Sequence, residues 1–197
     1  MMAGLVARHG PPAYTKRPGR TGTGSDSDGH FAALAEAVLY QQLAGAAAAA
    51  IHARVIAAVG GRMEPLAVVA AGEEALRRAG LSRAKTDAIL GLAEAVTSGR
   101  VALSRMASLD DEDVIDALLG LRGIGRWTAQ MFCLFRLGRL DVWPVTDYGV
   151  RKGYALAYGL PDLPAPRELE KLGDPFRPYR SVAAWYCWRA VRDRTAG

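Results

Sequence analysis

The residues with the most chemical content lie in one stretch, Leu118-Leu119-Gly120-Leu121-Arg122-Gly123-Ile124-Gly125-Arg126-Trp127-Thr128-Ala129-Gln130. Apolar residues close one helix, a glycine–hydrophobic–glycine turn follows, and a second helix starts directly after it. Glycines at 123 and 125 permit a tight hairpin whose backbone can approach another surface closely. Ile124 between them can pin the hairpin to a core. The N–H groups that open the second helix have no intrahelical acceptor and point outward, which suits a phosphate. Arg122 and Arg126 reinforce that site. Read locally, the stretch is equally an ordinary helical hairpin punctuated by glycine. Charge separates the two readings. Over 122–152 the cations are Arg122, Arg126, Arg136, Arg139, Arg151 and Lys152, against Asp141 and Asp147; six minus two is +4, close to the +5 of the whole chain. A solvated charged face is one reading of such a concentration; its place beside a phosphate-shaped turn favours DNA.

Two carboxylates follow the hairpin. Asp147, after a proline-containing loop, reads as the N-cap of a helix over 148–158. The helix dipole favours negative charge at that position, so a capping carboxylate also suits an anionic catalyst. Asp141 is the rival and lies nearer the hairpin. Metal chemistry finds little support. Two cysteines, Cys133 and Cys187, cannot make a four-cysteine zinc or iron–sulfur site within one chain, and His9, His30 and His52 are scattered without ligand spacing.

The elements that must position these groups read as helices. Phe31, Leu34, Val38 and Leu39 fall at helical spacing. The alanine run 46–50 continues through Ile51, Val55 and Val59 to Gly60-Gly61. Pro65 can open a short helix, and Glu73 to Ala79 another that Gly80 ends. Ser82 is a good N-cap for a helix to about Ser98. Asp110 to Leu119 starts acidic and stops at Gly120. No segment shows sustained period-two alternation, and the alternation of strands and helices that a parallel sheet needs is missing, so the fold class is all-α. Residues 1–29, with Gly10-Pro11-Pro12 and the glycine-rich run 17–29, read as a disordered tail ahead of a domain over 30–197. Half of the 197 residues are hydrophobic and 23% are charged, which predicts a buried core. No apolar run approaches the roughly 18 to 20 residues that span a bilayer. Met1 to Val6 is too short for the core of a signal peptide, so a cytoplasmic setting, nucleoid-associated in a bacterium, is expected.

The turn at 121–129, followed by Asp141-Val142-Trp143-Pro144-Val145-Thr146-Asp147-Tyr148, resembles the helix-hairpin-helix DNA glycosylase superfamily. Three further segments are similar to its DNA-3-methyladenine glycosylase II branch: Tyr40-Gln41-Gln42-Leu43-Ala44, Leu81-Ser82-Arg83-Ala84-Lys85, and Arg177-Pro178-Tyr179-Arg180-Ser181 leading into Trp185 and Trp188. The resemblance spans about residues 30–193 in the family's order. It leaves no room for the N-terminal β-sheet domain of some members.

The resemblance implies two helical lobes with a cleft that Asp147 and Trp127 both face. It implies hydrolysis of the N-glycosidic bond of alkylated purines such as 3-methyladenine, in double-stranded DNA, by a monomer that requires no cofactor. The family's catalytic aspartate falls on Asp147. Lyase-type relatives place a lysine nucleophile where Trp127 stands, so the resemblance implies a glycosylase without lyase activity. An alkylated, cationic base is attracted to aromatic faces, and the family pocket falls on Trp127 and Trp188, with Tyr148, Tyr40 and Trp185 as weaker candidates. Met131 stands where many members carry tyrosine. DNA binding falls on Arg122, Gly123, Ile124, Gly125, Arg126 and Thr128, with a monovalent cation at the carbonyls of 120–125 as a family feature. The wedge that fills the stack after base flipping falls on Gln42 or Leu43. Two alternatives stay open: a glycosylase of the same fold for oxidised or deaminated bases, and a non-catalytic DNA-binding module, which would have no need of Asp147 or the aromatic cluster.

Overall fold

The structure, a computed structural model, describes residues 2–12, 27–43 and 45–195. Every regular element among them is helical, as the missing period-two alternation predicts. The chain divides into two compact units, one formed by 21–132 and the other by 1–20 together with 133–197. Helix α1 (Met2–His9) opens the chain and belongs to the second of these.

The 21–132 unit contains α2 (Ser27–Tyr40), α3 (Gly45–Ala58), α4 (Pro65–Arg78), α5 (Arg83–Thr97), a 3-10 turn (Leu103–Ser108), α6 (Asp111–Leu119) and α7 (Arg126–Phe132). The sequence punctuation acts as expected. Ser82 caps α5 by accepting the Lys85 N–H at 3.4 Å. The two short helices expected after Pro65 are α4 broken at Gly72, whose φ of 73° breaks the regular turn. Helix α2 packs on α3, α5 and α7, and α4 packs on α5. Phe31, Leu34, Leu39, Ile89, Leu92, Ile115 and Leu118 are fully or almost fully buried in this unit. Burial of such side chains stabilises by roughly 1.5–3 kcal/mol each, which fixes α2, α5 and α6 as the frame for the hairpin.

The second unit contains, besides α1, a π-helical turn (Cys133–Leu137), α8 (Tyr148–Tyr158), α9 (Pro166–Leu172), a 3-10 turn (Asp174–Phe176) and α10 (Arg180–Thr195). Its centre is the packing of α8 on α10. Gly153 makes this possible, because a Cβ there would collide with the backbone of Cys187. Trp143, Val150, Tyr154, Leu169, Ala184 and Cys187 form the core around the crossing.

The reading of 1–29 as a tail is corrected over its described parts. Residues 2–9 are helical, and α1 packs on α10. Leu5 is buried with Ala157, Trp185 and Tyr186. His9 lies 2.9 Å from Asp193, and the Tyr186 hydroxyl donates to Gly10 O at 2.8 Å. Eight residues with a single buried leucine carry too little periodicity to be read as a helix; the surface of α10 stabilises it. The domain also begins earlier than expected, since α2 starts at Ser27. The glycine-rich residues 13–26 lie outside the described residues.

Candidate functional site

Asp147 is the N-cap of α8, as its local sequence predicts. Its Oδ1 accepts the Val150 N–H at 2.8 Å, and its carbonyl accepts the Arg151 N–H. A second donor comes from α10: the Trp188 indole N–H reaches the same Oδ1 at 2.8 Å. Gly149 is the residue that admits the indole. A Cβ there would lie 2.6 Å from Trp188 Cδ1 and 3.1 Å from Asp147 Oδ1. Phe135, carried by the π-helical turn, stacks on Trp188 at 5.7 Å between ring centroids. The carboxylate is thus oriented by two N–H donors, and the second of them is braced by an aromatic. Burial, and after it the charge of Asp147, push the neighbouring Cys187 thiol up to about 12, so this cysteine packs and does not react.

Asp141 has a different environment. Burial raises its carboxyl, but hydrogen bonds from the Arg180 side chain and backbone, and the charges of Arg180 and Arg177, outweigh this and hold it below the ordinary carboxylate range. Arg180 Nε donates to Oδ1 at 2.8 Å, and Arg177 donates to Oδ2 at 2.9 Å. Beside it, Ser181 N–H donates to Leu140 O at 2.9 Å and Ser181 Oγ accepts the Val142 N–H at 2.9 Å. Asp141 is therefore the anchor that ties the loop before α8 to the start of α10. The motif 177–181 serves the same tie.

The hairpin between α6 and α7 separates the roles of its glycines. Gly123 has φ 81°, and a Cβ would sit 2.5 Å from that of Ala88 on α5, so both conformation and space demand glycine. A Cβ on Gly125 would meet nothing within 4 Å. Ile124 is buried and pins the turn. Arg122 pairs with Asp87 at 3.2 Å, and Arg126 with Glu112 at 2.6 Å. The net charge counted along 122–152 omits these two acids, which sequence proximity could not assign to the hairpin. Both arginines are exposed, although Asp87 is half-buried, and such pairs are worth little, so a phosphate can compete for the arginines.

Trp127 and Met131 stand four residues apart on α7 and share one face. Trp127 is 42% exposed, and Met131 is half-buried. Thr128 is buried, and its hydroxyl accepts the Gln41 side-chain amide at 3.2 Å. Of the weaker pocket candidates, Tyr148 is exposed under the Lys152 ammonium, 5.7 Å from the ring centre. Tyr40 meets His52 edge-on, and Trp185 is buried with Tyr186 and Leu5, so both serve packing. Gln42 and Leu43 are both exposed at the end of α2. Among the described residues, no group of three or more His, Cys, Asp or Glu could hold a metal ion, and no helix is long and apolar enough to cross a membrane.

Sequence reading missed four contributors. Gly149 and Gly153 display a Gly-x-x-x-Gly spacing that places both on one face of α8, a signal that was available. Lys85 and Gln41 were visible only as parts of motifs, because their acceptors lie far away in sequence. Lys85 Nζ donates to Leu39 O at 2.6 Å and to Gln41 O at 2.7 Å.

A family model of the HhH-GPD superfamily base excision DNA repair proteins matches residues 35–178. DNA-3-methyladenine glycosylase 1 of Schizosaccharomyces pombe is 37% identical over 120 residues, 60% of this chain. The chain spans about half of that relative, 53% of its length. Among solved structures, the 3-methyladenine DNA glycosylase of the same yeast in complex with abasic DNA superimposes with a TM-score of 0.78 at 33% identity, over 95% of this chain and 89% of that one. A DNA-3-methyladenine glycosidase from Bacillus halodurans superimposes with a TM-score of 0.80 at 32% identity, over 99% of this chain and 90% of that one. With a family match across most of its length, an all-helical fold and the hairpin intact, the chain belongs to the HhH-GPD superfamily of base excision DNA repair proteins.

Proposed function

We propose that this chain is a monofunctional DNA glycosylase that hydrolyses the N-glycosidic bond of alkylated purines, 3-methyladenine among them, in double-stranded DNA. The observation that carries the reading is the doubly held Asp147 carboxylate, whose Oδ1 receives N–H donors from Val150 and Trp188. The named relatives, which are 3-methyladenine glycosylases, support the substrate class.

In the reaction the C1′–N bond breaks with its electrons leaving on the base. An alkylated ring nitrogen already carries positive charge, so the base departs without needing an enzymic acid. Positive charge grows on the sugar, and the Asp147 carboxylate stabilises it from a fixed position. Water then adds to C1′ and gives up a proton, which the carboxylate or solvent takes, and an abasic sugar remains. Trp127 and Met131 on α7 are the proposed pocket wall for the flipped cationic base, with Trp127 offering the face of its ring. Trp188, which the resemblance assigns to the pocket, has its N–H committed to Asp147; its proposed role is to set the carboxylate. Gly125 and Arg126 are the proposed phosphate contacts. A monovalent cation, if held at the hairpin, would find backbone oxygens of 120–125, where Leu121 O already accepts the Ile124 N–H and Gly123 O the Gln41 amide. It would link the hairpin to a phosphate.

The test is incubation with duplex DNA methylated by a simple alkylating agent, followed by identification of the released bases. Release of 3-methyladenine with an intact abasic strand supports the reading. Release of oxidised or deaminated bases only, or of none, contradicts it. Borohydride trapping in the same mixture should give no covalent adduct. Trp127 cannot form a Schiff base, and Lys85 Nζ is occupied by two carbonyls.

A further inference from the structure

The turn that follows α2 is the one place among the described residues where a non-glycine residue holds a left-handed backbone: Gln42 has φ 55°. Side chains with a Cβ rarely adopt that region, and where they do the surroundings must enforce it. Here two side chains do so. Lys85, from the first turn of α5, donates to Leu39 O at 2.6 Å and to Gln41 O at 2.7 Å. These are carbonyls at the C-terminal end of α2, where helical acceptors are orphaned and a cation is favoured. From the other side, the Gln41 amide donates to Gly123 O and to Thr128 Oγ1, both at 3.2 Å. All of these groups lie within the 21–132 unit.

We propose that Lys85 is a positioning residue for base flipping: its ammonium, with the Gln41 amide, locks the Gln41–Leu43 turn onto the hairpin, so that the exposed Gln42 and Leu43 and the proposed phosphate contact Gly125 enter DNA as one rigid body. This rests on the glycosylase reading and deepens it. The function of Lys85 and Gln41 is to hold Gln42 in its left-handed conformation and keep the wedge in register with the strand grip. A flexible lysine that served only solubility would extend into water. This one is half-buried, where burial lowers its pKa below the ordinary lysine value, and its ammonium is directed at two backbone carbonyls.

The consequence is selective. Filling a vacated stack matters when a paired base must be extruded, and matters far less when the damaged base is already unpaired. Lys85→Met keeps the length of the side chain and removes its donors. It should slow single-turnover release from a fully paired duplex by about tenfold or more, and change release from the same base in a single-nucleotide bulge by less than about threefold. Lys85→Arg, which retains donors, should recover part of the paired-duplex rate. A second readout needs no catalysis: 2-aminopurine opposite a tetrahydrofuran abasic analogue reports how the gap is filled. Wild type should alter its fluorescence on binding, and Lys85→Met should not at matched occupancy. Equal loss on paired and bulged substrates, or no loss on either, together with a wild-type fluorescence response in the variant, overturns the proposal. If Lys85→Met does not fold, Gln41→Leu carries the same two tests with the same expected selectivity. Wild type that alters the fluorescence but releases no base from either substrate would contradict the glycosylase reading while leaving the clamp in place.

Discussion

The indole N–H of Trp188 on α10 donates to Asp147 Oδ1 at 2.8 Å, across a separation of 41 residues. The relationship gives the N-cap of α8 a second function. A cap alone would hold the carboxylate by one backbone donor; the indole fixes its direction as well, and Gly149 leaves the space for it. Trp188→Phe keeps the ring that stacks on Phe135 and removes the donor. It should lower the single-turnover excision rate by about tenfold, in line with loss of one hydrogen bond to a charged group, about 1.5 kcal/mol. Thermal melting should show little change. A rate equal to that of wild type would make the contact incidental.

The hairpin glycines should respond differently to the same added methyl. Gly125→Ala meets open space in the protein, so its melting temperature should match wild type while its affinity for abasic DNA falls, because the Cβ intrudes only on an incoming phosphate backbone. Gly123→Ala combines φ 81° with a contact on Ala88 and should destabilise by about 1–3 kcal/mol. Unchanged DNA affinity in Gly125→Ala would mean that the strand is held elsewhere.

Arg126 and Glu112 form an exposed pair that a phosphate at the hairpin would have to open. Arg126→Ala should weaken DNA binding and reduce the slope of log K against log salt by about one unit. Glu112→Gln should tighten binding, since it frees the arginine and removes a repelling carboxylate. Salt titrations of both variants by fluorescence anisotropy check this. If Glu112→Gln weakened binding, the pair would be a structural prop that orients the guanidinium.

Asp141 should matter for stability and not for chemistry. Its carboxyl is held below the ordinary range in the folded protein. Its contribution is then fully present above the unfolded value of about 3.9 and is lost as pH falls through the folded value. Asp141→Asn should cost about 2 kcal/mol at pH 7, the difference from wild type should shrink as pH drops below about 4, and excision should persist. Denaturant melts across pH 3–7 would show a constant gap if the ion pairs with Arg177 and Arg180 carried no stability.

Local chemistry was legible in the sequence and distant contacts were not. The caps Ser82 and Asp147, the stop at Gly120 and the buried Ile124 follow from residue types a few positions apart. Asp87 and Glu112, which pair with the hairpin arginines, come from neighbouring helices, and no count along the hairpin could include them. The reach of Lys85 to the end of α2 depends on how α5 packs against it. Trp188 could be placed among the aromatics, but its bond to Asp147 exists only because Gly153 brings α8 against the α10 backbone. Helix α1 was missed for the same reason: α10 stabilises it, and its own eight residues do not.

The most direct measurement is the single-turnover rate of base release by wild type and Asp147→Asn on duplex DNA with one alkylated purine. Asparagine keeps an oxygen for the Val150 N–H, so α8 should remain capped and the fold intact. Loss of the charge should slow release by more than about a hundredfold, roughly 3 kcal/mol, while binding to abasic DNA stays near that of wild type. A variant that releases base within about threefold of wild type would contradict the account and remove Asp147 from the chemistry.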